Sequence, residues 1–243
     1  MEFDILFLIL LPVVAFLYAA VGHGGASGYL ALMGLFSFSE ELMRPTGLLL
    51  NLFVAAVSFY HFWRSGYFNY RLFLYFAIAS IPMAFLGGML EVDSKVYKVV
   101  LGFLLLFAIV HMLGFFGEKN KEIRSVNWIS GLLVGGGIGF FSGLIGIGGG
   151  IILSPLILIF GWGKVKEAAA VSALFIWVNS VSGMIGQWSS GVAIEKQSWL
   201  FVGLAFIGGF AGGYFGSKKI DNKGLRYLLA FVLLLASLKL FFI

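Results

Sequence analysis

Apolar residues run along this chain in long stretches, and the charges fall almost entirely between them. The stretches cover approximately 5–36, 45–62, 70–90, 97–116, 128–160, 167–188, 199–216 and 225–242. A helix needs about 20 mostly apolar residues to cross a bilayer. The first and fifth stretches are too long for one crossing and too short for two. Glycines interrupt both, as "GHGGASG" at 22–28 and "GIGGG" at 146–150. The charged connections are "FSEELMR" at 38–44, "RSGYFNYR" at 64–71, "EVDSKVYK" at 91–98, "GEKNKEIR" at 117–124, "GKVKE" at 163–167, "IEKQ" at 194–197 and "SKKIDNKGLR" at 217–226.

Composition turns this pattern into a class. Of 243 residues, 60% are hydrophobic and 11% charged, and the mean hydropathy is +1.02. Soluble domains carry roughly 25% charged residues, so this chain cannot cover itself with a polar surface. The expectation is an all-α integral membrane protein, one membrane domain over 1–243. Cysteine is absent, which excludes disulfides, thiolate metal sites and a cysteine nucleophile. The net charge of +5 fits the positive-inside bias of membrane proteins better than nucleic-acid binding. The acidic start, Met1-Glu2-Phe3-Asp4, lacks the basic n-region of a cleavable signal, so no removal is expected.

The pattern repeats. Gly22, Gly24 and Gly25 correspond to Gly146, Gly148 and Gly149, as do Phe16 to Phe140, Leu32 to Leu156 and Phe36 to Phe160. One residue later in register, Trp63-Arg64-Ser65-Gly66 matches Trp188-Ser189-Ser190-Gly191, and Gly87-Gly88 matches Gly212-Gly213. Order and spacing persist across the unit, which gives two repeats, 5–116 and 128–243.

Their relative orientation depends on the broken stretches. If each is one complete crossing, the loop Lys and Arg split nine to six, and the repeats are parallel. If each enters, turns at its glycines and returns, every repeat has three crossings and a re-entrant helical hairpin, and the repeats are inverted. The split is then eleven to four, with only Arg44, Lys95, Lys98 and Lys196 on the poorer side. Loop Lys and Arg collect on the cytoplasmic side, so the sharper split favours two inverted-topology repeats with both termini outside.

Non-helical backbone at membrane depth is tolerated where protein buries it or where it lines a wet cavity. Transporters of inverted repeats use broken helices at mid-membrane in this way, with half-helix N-termini aimed at anions. Each such end offers free N–H groups and about half a positive charge. New helices are expected to start near Ala26-Ser27 and at Ile151, and glycine lets an oxyanion approach the backbone. The candidate substrate-binding residues are therefore His23, Gly24, Gly25 and Ser27 at the first break and Gly148, Gly149 and Gly150 at the second. Asn51, Ser172 and Asn179 add hydrogen-bonding side chains from the spans that follow; Thr46 is a further polar residue within the first of these spans. Close packing is the alternative role for central glycines, and it suits Gly87-Gly88, Gly135-Gly136-Gly137, Gly208-Gly209 and Gly212-Gly213. Inter-helix hydrogen bonding is an equal alternative for each asparagine. His23 is the titratable side chain nearest the expected centre, which allows proton coupling near neutral pH. His61 and His111 read as interfacial or packing residues.

No Asp or Glu lies within a span, which argues against divalent-cation transport and carboxylate proton relays. Neither a metal-ligand cluster nor an HExxH pattern is present, and "GIGGG" lacks the Lys-Ser/Thr of a P-loop. No metal, cofactor or enzymatic activity is expected.

The paired "VGHGGASG" and "GLIGIGGGIILSPLI" segments, the Trp-x-Ser-Gly element in each repeat and the length near 250 residues resemble the TauE/SafE sulfite exporter family of transporters. The resemblance implies secondary transport, usually export, of small sulfur-containing anions such as sulfite or organosulfonates across the cytoplasmic (inner) membrane. Expected partners are the lipid bilayer, the small anion and a coupled proton or sodium ion, in a monomer or homodimer. An anion channel of the same architecture and a non-transporting membrane scaffold are the competing readings. His23 and Ser27 face Ile147 and Ile151 in the second repeat, so the halves cannot contribute identically.

Overall fold

The computed structural model describes residues 4–113 and 123–218, with Leu234, Ser237 and Leu238. The last apolar segment, 225–242, and the 117–124 and 217–226 connections lie wholly or mostly outside the described residues, as does the side chain of His111. The described chain is helical: α1 (Ile5–Ala20), α2 (Ala26–Leu35), α3 (Glu40–Arg64), α4 (Tyr70–Met89), α5 (Ser94–Met112), α6 (Trp128–Ile145), α7 (Gly150–Ile159), α8 (Val165–Ser189) and α9 (Ser198–Lys218). Five of these, α3, α4, α6, α8 and α9, are long and apolar enough to cross a membrane. The protein is a multi-pass membrane protein.

Local chemistry sets the helix starts. Asp4, Asn69 and Asn127 cap α1, α4 and α6 by accepting from the N–H groups of Leu6, Leu72 and Ile129 at 2.8, 3.1 and 2.9 Å. Two charged connections extend the helices beyond their apolar stretches. Glu40 and Glu41 open α3, where the positive end of the helix dipole favours carboxylates. Glu167 accepts from the Lys164 N–H at 3.2 Å at the start of α8.

Glycine rows bring helices into backbone contact. On α9, a Cβ at Gly208, Gly212 or Gly216 would overlap the carbonyl oxygens of Pro12, Phe16 and Ala20 on α1. On α6, Gly135, Gly139 and Gly143 stand in the same way against Phe76, Ser80 and Ala84 of α4. Residues four apart share a helix face, and small residues there permit the close crossings of membrane bundles. Gly87 and Gly88 pack against Phe140 and Gly183 backbone, so these central glycines serve packing. Gly137 meets nothing nearby.

Contacts divide the bundle into two ends. At the first, the ring of Phe7 lies 5.6 Å from Phe36, 4.9 Å from Phe38 and 5.0 Å from Phe201. There Thr46 and Ser198 hydroxyls bond at 2.8 Å, and Ser190 Oγ donates to the Met89 carbonyl at 3.1 Å. At the second, the Arg124 N–H donates to the Gly161 carbonyl at 2.8 Å and Asn69 Nδ2 to Glu167 Oε1 at 2.5 Å. Tyr75 packs on Trp128 and Phe76 on Trp162 at that end. His61 lies against Phe210 and Tyr214, a packing position.

Candidate functional site

Both glycine breaks interrupt their helices, and the new helices begin at Ala26 and Gly150. Gly25 and Gly149 cap them with φ of +95° and +79°, a left-handed conformation open mainly to glycine. The breaks do not turn at mid-bundle as the simplest hairpin would. Gly22 reaches Phe62 and Ala169, in the last turn of α3 and the second of α8. Gly146 reaches Arg44, in the second turn of α3 at the opposite end. The physical reason is length: α1 has 16 residues and α6 has 18, about 24 and 27 Å at 1.5 Å per residue, beyond the middle of a roughly 30 Å hydrocarbon core. Gly24 and Gly148, two residues beyond these turns, lie instead beside Asn51.

At the middle the two breaks meet. A Cβ added to Gly24 would stand 2.8 Å from Asn51 Oδ1, 2.8 Å from Ile176 Cγ2 and 3.0 Å from Ala55 Cβ. One added to Gly148 would stand 2.5 Å from Asn51 Nδ2, 2.7 Å from Ile176 Cγ2 and 3.2 Å from Ser180 Oγ. Asn51, halfway along α3 and fully buried, bridges them. Its Oδ1 accepts from the Ala26 N–H at 3.1 Å, in the first turn of α2, and its Nδ2 donates to Ser180 Oγ at 3.2 Å. The N-terminal end of α2 and the glycine segment leading into α7 thus meet at one neutral amide.

The remaining candidates take separate places. Ser27 Oγ donates to the Tyr18 hydroxyl at 3.1 Å, tying α2 back to α1. His23 is buried, with Nδ1 3.2 Å from the Val21 carbonyl and its backbone N–H on the Tyr18 carbonyl at 2.9 Å. Gly25 makes room for the Tyr29 hydroxyl, and Gly149 for Ile138, Phe175 and Ser142. Gly150 packs on Ile176 and on the Ser172 carbonyl. Ser172 Oγ accepts from Ser154 at 2.8 Å, and Thr46 is held by Ser198. Asn179 accepts from Ser80 Oγ of α4 at 2.5 Å and donates to the Phe175 carbonyl of its own helix at 2.9 Å, so both amide atoms are engaged away from Asn51.

Two residues of the cluster, Ile176 and Ser180, are not among the candidates drawn from the sequence. Helix frame would have found Ile176. α3 and α8 each have 25 residues, and matching their starts sets Asn51 against Ile176 rather than Asn179.

A model of the family described as sulfite exporter TauE/SafE matches residues 6–240. The chain belongs to the TauE/SafE family. A relative named "probable membrane transporter protein" in Sinorhizobium fredii is 36% identical over 233 residues, covering 94% of each chain. A second of the same description in Methanocaldococcus jannaschii is 26% identical over 255 residues, covering 96% of this chain and 95% of its own. No solved structure matches significantly. The TauE/SafE family and these relatives are membrane transporters, not enzymes.

Proposed function

We propose that this TauE/SafE protein is a secondary transporter that exports small sulfur-containing anions, sulfite or organosulfonates, across the cytoplasmic membrane. It works by alternating access around the meeting point of the two breaks. The observation that carries this reading is that the α2 N-terminus bonds Asn51 while Gly148, just before α7, packs on the same amide. First-turn N–H groups lack intrahelical acceptors, and each end carries about half a positive charge. Asn51 Oδ1 serves as the acceptor at α2 in the state described. An arriving oxyanion would replace it, taking N–H groups from both breaks, while the Asn51 amide turns its donor toward the anion.

The same contacts support two inverted repeats, each a re-entrant hairpin followed by three crossings. Phe7 opens α1 and Phe36 follows α2, yet their rings touch; Arg124 precedes α6 and Gly161 follows α7, yet their backbones bond. Each broken segment therefore returns to the end it came from. Because the chain lacks cysteine, single cysteines test this cleanly. Asp4→Cys, Ser39→Cys and Ser94→Cys should react with an impermeant maleimide from outside, and Ser65→Cys, Ser125→Cys and Lys164→Cys only from the cytoplasm. Labelling of positions 4 and 39 from opposite sides would contradict the hairpin.

The functional test is flux of radiolabelled sulfite and taurine in proteoliposomes. A carrier gives saturating flux that accumulates substrate against its gradient when a proton or sodium gradient is imposed. Large single-channel currents would establish the channel instead.

A further inference from the structure

The two turns lie in unlike surroundings. Gly22 sits against Ala169 and Phe62, the fifth residue of α8 and the third from the end of α3. The residues at those places on the opposite helices are Arg44, the fifth of α3, and Gln187, the third from the end of α8. Gly146 turns against Arg44. That contact is with the Arg44 backbone; by position along the helices, the apolar Ala169 and Phe62 have an arginine and a glutamine as counterparts.

Neither polar side chain is fully satisfied. Arg44 Nη2 donates to the Leu90 carbonyl at 3.0 Å, but its Nε is buried without an acceptor. Gln187 is 1% exposed, and neither Nε2 nor Oε1 has a partner. Both lie at the end of α4: Arg44 bonds Leu90, and Ser190, one turn beyond Gln187, bonds Met89. Tyr97 and Thr46, at the same end, are already engaged with the Ile145 carbonyl and with Ser198. A buried polar group left without a partner is destabilising.

We infer that Arg44 and Gln187 form a second anion site, an antechamber between the first end of the bundle and Asn51. The ligand class follows from the orphan groups. Arg44 Nε–H and the Gln187 NH2 need oxyanion acceptors, and Gln187 Oε1 needs a donor. A small sulfur oxyanion that also carries a proton donor, such as hydrogensulfite or an aminosulfonate, supplies both. The ammonium and phosphate of a phosphatidylethanolamine headgroup share that chemistry, but an amide 1% exposed lies out of reach of a lipid that keeps its tails in the bilayer. The site's role in transport rests on the proposed function; its occupancy does not.

The test uses the full-length protein, delipidated in detergent, with taurine and sulfite as probes. Calorimetry should show a second anion per chain in the wild type, retained in Asn51→Leu and lost in Arg44→Gln and Gln187→Leu. In proteoliposomes, Arg44→Gln and Gln187→Leu should raise KM about tenfold at a kcat within about twofold of wild type, with Arg44→Lys intermediate. Gln187→Leu also guards against misfolding, since removing an orphan amide should raise Tm. A stabilised Gln187→Leu with unchanged KM and stoichiometry would mean a merely buried or hydrated amide and would overturn the site. Occupancy seen only in phosphatidylethanolamine nanodiscs would overturn it as well, as would no binding of either probe. Normal transport by Asn51→Leu beside impaired Arg44→Gln would defeat the central site and leave the antechamber standing.

Discussion

Gly24 and Gly148 face the same two side chains, Asn51 and Ile176, from opposite breaks. Beyond them the surroundings diverge. The first break carries Tyr18, His23 and Ser27, joined by the Ser27–Tyr18 bond. The second carries Ser142, Ile147 and Ile151 at the matching places, and Ser142 Oγ is buried without a partner. One asparagine halfway along α3 serves both breaks, while its counterpart on α8 is an isoleucine. Asn51, backed by Ser180, is the side chain that reaches both breaks. The rest of the chemistry is free to differ between the two sides, as Arg44 and Gln187 differ from Ala169 and Phe62.

The comparison breaks most severely where backbone and side chain both fail. Gly148→Leu would force a Cβ to 2.5 Å from Asn51 Nδ2 at a φ of +76°. It should abolish measurable anion flux, and its thermal unfolding should fall with a loss of about 3 kcal/mol or more, as overpacking and left-handed strain combine. Asn51→Leu comes next: it leaves the Ala26 N–H and Ser180 without partners and should lower sulfite flux about a hundredfold, while Ile176→Asn does not restore it.

Smaller effects separate structural polar residues from functional ones. Asn179→Leu removes the acceptor of Ser80, so stability should drop by about 1–3 kcal/mol while the KM for sulfite stays within about twofold. Ser27→Ala should cost about 1 kcal/mol in Tm measurements through the lost Tyr18 bond, with flux reduced only slightly. His23→Gln should flatten the pH dependence of uptake if the imidazole carries a coupled proton. A full pH profile in that variant would remove His23 from the coupling scheme.

Much of this architecture could be read from the chain. Apolar lengths and glycine breaks located the helices, and Ala26 and Gly150 begin within a residue of the expected starts. Gly87, Gly88, Gly135, Gly208 and Gly212 pack as their spacing implied. Where α1 and α6 stop was less legible, since apolarity does not mark which turn of a neighbouring helix a glycine break will meet. Asn51 and Asn179 look alike in the sequence, yet by position along their helices Asn51 matches Ile176, and Asn179 bonds Ser80 across a different interface. Arg44 and Gln187 sit at helix ends, where a sequence gives no sign of whether a polar side chain is solvated or buried.

The central claim is that an oxyanion binds where the two breaks meet. Selenite, a heavier analogue of sulfite, tests this by anomalous diffraction at the selenium edge in crystals of the wild-type protein and of Asn51→Leu. The account predicts an anomalous peak within hydrogen-bonding distance of Asn51 and the α2 and α7 N-termini, absent in Asn51→Leu. A transport-competent protein whose only selenium peaks lie elsewhere, or whose central peak survives Asn51→Leu unchanged, would contradict it.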